Sequence, residues 1–112
     1  RPWVIAGHDD ISYGRASAVD DLVLDLGAIP IEMDPDEHDR SVATVSHVPQ
    51  LISTLMGVRL QHAADEALRL AGQGVRDTTR IAASAPELWV QILGANASPV
   101  VAVLDELAAD LR

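Results

Sequence analysis

The feature that most limits what this chain can fold into is a change of hydrophobic period at Asp34. Before it, Trp3-Val4-Ile5 reads as a short strand and Ala16 to Leu26 as a helix with Ala16, Val19, Val23 and Leu26 on one face. Ile29 to Met33 then reads as a strand alternating Ile29, Ile31 and Met33. Gly27 fits the helix's C-terminal stop. A strand-helix-strand unit of roughly 30 residues is a parallel crossover, and two parallel strands alone leave backbone edges and an apolar face uncovered. Residues 1–33 therefore predict part of a larger sheet that something else completes. The start at Arg1 rather than Met fits the same expectation of a fragment or a processed chain.

From Asp34 onward the pattern is helical. Asp34-Pro35-Asp36-Glu37 combines an N-cap, a first-turn proline and an acid at the third position. The helix it opens is expected to run to about Arg59, with Val42, Val45, Ile52, Leu55 and Met56 apolar and a kink at Pro49. A second helix of about Gln61 to Ala71 is expected to end at Gly72-Gln73-Gly74. The last, opened by Ser98 and Pro99, carries Val100, Leu104, Leu107, Ala108 and Leu111 at helical spacing. The expected fold class is mainly α, a helical domain over 34–112 preceded by a short strand-helix-strand unit over 1–33.

Within the helical part, residues 75–89 put two arginines, a helix start and a large aromatic into one segment. Asp77 or Thr78 can cap a following helix, whose free N–H groups carry partial positive charge. Arg80 would then sit in the first turn, where a cation is misplaced unless a bound carboxylate or phosphate offsets it. Trp89 lies in the next helix, which Ser84 and Glu87 open in capping-box spacing with Pro86 in the first turn. Its indole is placed to wall the same pocket.

Composition narrows the partners. The net charge of -9, from 8 arginines, no lysine and 17 acidic residues, argues against nucleic acid and against an anionic membrane surface. The absence of cysteine removes disulfides and thiolate metal sites. No apolar run approaches the roughly 18 residues of a membrane span and no signal peptide is visible, so a cytoplasmic protein is expected.

Each polar candidate has a structural alternative. Gly72-Gln73-Gly74 lacks the third glycine of a dinucleotide loop and follows a helix, so it reads as a helix stop and not as a cofactor site. His38 and His47 stand about 180° apart around a straight helix, so a shared metal is not expected unless the kink or a second subunit intervenes. Ser46, His47 and Gln50 are spaced to share a polar face. Asp77 reads as an N-cap, a partner for Arg76 or Arg80, or a site residue, and Trp89 as a pocket wall or plain core. Arg80 discriminates: a structural arginine pairs with an internal carboxylate such as Asp77, whereas a ligand-binding one stays open. His8, Asp9 and Asp10 read as a solvated loop, and His62 with Asp65 and Glu66 as a solvated helix face.

The run Arg76 to Trp89, together with Glu37-His38-Asp39 and Val45-Ser46-His47-Val48-Pro49-Gln50, resembles the C-terminal part of prephenate dehydrogenase. The likeness covers nearly the whole chain, with three motifs in order and their gaps intact. It implies that 34–112 is a substrate-binding and dimerisation domain and that 1–33 is the tail of a nucleotide-binding domain. It also implies a full-length enzyme that passes a hydride from prephenate to NAD or NADP and releases carbon dioxide to give 4-hydroxyphenylpyruvate. Arg80 would hold one of the two substrate carboxylates, bidentately. Ser46, His47 and Gln50 would line the cleft, with Asp77, Trp89 and His38 as further substrate-binding candidates. Many relatives carry a second histidine where this chain has Gln50, which donates a hydrogen bond but cannot become charged. The general base and the cofactor loop belong in such enzymes to the N-terminal domain, so no catalytic residue, cofactor or metal is expected on this chain. Val, Leu and Ala are abundant on helices short of aromatic bulk, so a homodimer burying on the order of 2,000 Å² or more is expected. Arogenate dehydrogenase is a close variant, and a purely structural helical dimerisation module is the alternative from another class.

Overall fold

A computed structural model describes residues 1–7 and 12–112, so His8, Asp9 and Asp10 lie outside the described residues. The chain divides into two compact units, Arg1–Ser41 and Val42–Arg112.

The first unit is built as its period predicts. Strand β1 (Pro2–Ile5), helix α1 (Tyr13–Asp25) and strand β2 (Ile29–Glu32) form a parallel crossover in which Val4 stands opposite Ile31. Gly27 ends α1 at a φ of 71°, a left-handed conformation that only glycine adopts without strain. The Ala28 N–H reaches the Val23 carbonyl and the Gly27 N–H reaches that of Leu24, so both orphan carbonyls are satisfied. Of the face expected on this helix only Val23 is buried, while Val19, Leu26, Ile29 and Ile31 remain exposed. The two-stranded sheet has nothing more to cover them with. Helix α2 (Pro35–Val42) opens as expected, the Asp34 carboxylate accepting the N–H groups of Asp36 and Glu37 at 3.0 and 3.1 Å.

Leading into the second unit, the helical run expected over 34–59 is present, with its irregularity just ahead of Pro49. After α2 comes a π-helical stretch (Ala43–His47), then α3 (Val48–Gln61) with Pro49 in its first turn. The physical reason is the missing proline N–H, which cannot serve the Val45 carbonyl four residues back. The ladder widens ahead of it, the Val48 N–H reaching Ala43, and Pro49 falls where a helix needs no donor. The expected helix from Gln61 to Ala71 is absent. Instead α3 runs on to Gln61, a single turn α4 (Asp65–Leu68) follows, and Gly72 starts α5 (Gln73–Thr79) from an extended conformation. The glycine pair read as a stop is a start. The chain continues through α6 (Pro86–Ala95) and α7 (Ala97–Asp110), bent 91° at Asn96, and Ser98 and Pro99 lie in the first turn of α7. Among the described residues no single helix is long and apolar enough to cross a membrane.

Ala43, Val48 and Val100 are the buried heart of this unit, with Leu51, Ile52, Leu93, Val103 and Leu104 packed around them. The π stretch thus lies directly against α7. Gly57 of α3 meets the turn after α5 so closely that a Cβ there would stand 3.3 Å from that of Ala82. Val45, Leu70, Leu88, Val90, Val101 and Leu111 are left exposed.

Candidate functional site

The turn from Arg80 to Ala85 carries the cation and is anchored from α3. The Ile81 carbonyl accepts the Gln50 Nε2–H at 2.9 Å and the Ser84 hydroxyl at 2.7 Å, besides the Ser84 backbone N–H at 3.2 Å. Gln50 is buried, so its amide belongs to this turn. Ser46 is exposed on the π stretch, so the polar face expected for Ser46 and Gln50 is not formed.

The helix start expected at Asp77 or Thr78 is corrected as well. Both lie in the last turn of α5, and Arg80 is that helix's C-cap rather than a first-turn residue. The Thr78 and Thr79 hydroxyls donate back to Gly74 and Val75, and Asp77 accepts the Gln73 side chain at 2.8 Å. At a helix C-terminus a cation is favourably placed, so the dipole does not call for an anion there. Arg80 is exposed, Asp77 is engaged elsewhere, and among the described residues no carboxylate pairs with Arg80. The capping box at Ser84 and Glu87 is not made either: Ser84 turns to Ile81, and Ala85 precedes α6 with no side-chain cap.

His47 closes the π stretch and is held by two residues from α6 and the α6–α7 bend. Its ring centroid is 6.3 Å from that of Trp89 with the planes at 78°, an edge-to-face arrangement. Its Nδ1 faces the Asn96 side-chain amide nitrogen at 3.1 Å. Trp89, half-buried, is therefore not plain core: its ring supports an imidazole. Asn96, which sequence reasoning passed over, is 7% exposed. Its signal was its place before Ala97-Ser98-Pro99, where an asparagine begins helices well, although its side chain caps nothing here. The Ser53 hydroxyl on α3 was also missed; it is buried without a hydrogen-bond partner among the described residues. His38, in the first unit, is half-buried with Nδ1 3.1 Å from Asp39. His62, Asp65 and Glu66 are exposed, as a solvated face requires.

A parallel strand-helix-strand unit running into a helical unit of this kind is the architecture of solved dehydrogenases. The chain superposes over 98% of its length on 40% of the prephenate dehydrogenase from A. aeolicus in complex with hydroxyphenyl propionate and NAD+, with a TM-score of 0.86 and 25% identity. Synechocystis arogenate dehydrogenase shares the fold, with a TM-score of 0.85 at 24% identity over 98% of this chain and 41% of that one. Residues 34–112 match the family model described as prephenate dehydrogenase, dimerization domain. The chain belongs to the prephenate dehydrogenase family. It is 38% identical, over 99% of its length, to the probable prephenate dehydrogenase NovF of Streptomyces niveus, and spans 31% of that protein.

Proposed function

We propose that this chain is the substrate-binding and dimer-forming part of an NAD(P)-dependent dehydrogenase that oxidatively decarboxylates prephenate to 4-hydroxyphenylpyruvate for tyrosine biosynthesis. Residues 1–33 belong, on this reading, to the end of a nucleotide-binding domain and 34–112 to the helical domain. The observation that carries it is Arg80, exposed, without an acidic partner among the described residues, and mounted on a turn that Gln50 and Ser84 hold in place. A guanidinium so presented suits one carboxylate of a dicarboxylic substrate. His47, steadied by Trp89 and Asn96, supplies a second polar group, with Ser46, Asp77 and His38 as further candidates.

Among the described residues the one glycine pair does not make a dinucleotide loop. It starts α5 after a helical turn instead of following a strand, so the cofactor and the general base are assigned to the remainder of the enzyme. The protein is further proposed to be a homodimer, supported by the family model's description and by the exposed Val45, Leu70, Val90 and Leu111, and to work in the cytoplasm. Arogenate, with an amine in place of the side-chain keto group, is the second substrate this site suits.

The test is Arg80→Ala in the full-length protein. Loss of a charge-assisted pair worth roughly 1.5–3 kcal/mol raises the KM for prephenate at least about tenfold and leaves cofactor affinity unchanged. An unfolded variant, or one that binds prephenate normally, makes Arg80 structural and returns the chain to a dimerisation module.

A further inference from the structure

We infer that Asn96 holds His47 in one tautomer, with Nε2 protonated, so that the ring presents an N–H donor to a carboxylate or carbonyl oxygen of the substrate; this rests on the reading of His47 as a substrate-facing residue. The chemistry is that of the amide. Its nitrogen carries two hydrogens and no acceptor lone pair, so the His47 Nδ1 that faces it at 3.1 Å must accept. In a neutral imidazole the proton is then on Nε2. The hydrogen bond made by one ring nitrogen decides what the other offers, as it does for metal-bound histidines.

The support is stiff on both sides. Asn96 is buried at the 91° bend between α6 and α7, its N–H bonded to the Ile92 carbonyl and its own carbonyl to the Val100 N–H, each at 3.2 Å. The Trp89 ring, edge-to-face with the imidazole, opposes rotation of His47 out of this arrangement. Among the described residues Nε2 has no hydrogen-bond partner, so the donor is available. Asn96 is thus a positioning residue that acts through His47.

The experiment uses the full-length protein with 15N-labelled histidine. Long-range proton–nitrogen spectra of the rings are recorded, and the His47 signals are identified by their loss in His47→Gln. The Nε2–H pattern is expected in the wild type, whereas an Nδ1–H pattern overturns the inference without need of any further variant. Asn96→Asp, nearly isosteric, reverses the polarity: its carboxylate accepts from Nδ1–H and leaves Nε2 bare. The ring pattern is expected to switch, and the Kd for hydroxyphenyl propionate, measured at about pH 8.5 where a free imidazole is neutral, to rise at least about tenfold. An unswitched ring in a folded Asn96→Asp variant overturns the inference. A switched ring with unchanged Kd upholds the role of Asn96 and removes His47 from the substrate site.

Discussion

Replacing Gln50 by glutamate tests whether its amide is a donor to the Ile81 carbonyl. The amide nitrogen lies 2.9 Å from that oxygen on a side chain only 4% exposed. A leucine there removes this hydrogen bond and the long one to the Thr54 hydroxyl at 3.5 Å but leaves the carbonyl two donors from Ser84, so about 1 kcal/mol is lost. An ionised carboxylate sets acceptor against acceptor in a buried place and costs more, roughly 2–4 kcal/mol at neutral pH. Protonated, the same group donates as glutamine does. Its pKa is therefore raised on folding, and the sign follows: below the unfolded value, about 4.3, Gln50→Glu approaches wild-type stability. As pH rises the folded state binds more protons than the unfolded one, and stability falls relative to wild type by up to about 1.4 kcal/mol per pH unit until the folded pKa is passed. Urea unfolding of wild type, Gln50→Leu and Gln50→Glu from about pH 4 to pH 8, at one protein concentration, reads this directly. Wild type and Gln50→Leu are expected to run parallel, with Gln50→Glu diverging downward as pH rises. Parallel curves for all three, or a leucine variant as damaged as the glutamate, refute the donor assignment.

Gly27→Ala is expected to cost about 1–2 kcal/mol in the same unfolding assay, because a Cβ at Gly27 meets nothing within 4 Å and the whole penalty is the left-handed backbone; a neutral result contradicts that conformation. Sedimentation at micromolar concentration is expected to give a dimer, and a monomer counts against the homodimer reading. The 112-residue chain alone is expected to bind no NAD by calorimetry, and measurable binding overturns the assignment of the cofactor to the rest of the enzyme.

What could be read without coordinates was local. The Asp34 cap closes on residues two and three positions away, Gly27 ends α1 through bonds no longer than five residues, and the parallel crossover follows from its length and period. The spacing of the three motifs likewise carried the family, which the match over 34–112 bears out. That Pro49 disturbs the helix was legible; that the disturbance is a π turn over Ala43 to His47, that α5 starts at Gly72 and that Arg80 lies at that helix's end were not, because propensity allows either helix assignment and packing chooses. The contacts that shape the candidate site were further out of reach. Gln50 meets Ile81 across 31 residues and His47 meets Asn96 across 49. A pattern of periods and caps reports what a residue prefers among its near neighbours; which distant carbonyl or amide a buried polar group finds is decided only when the helices pack, since its burial must be matched by whatever partner the packing brings.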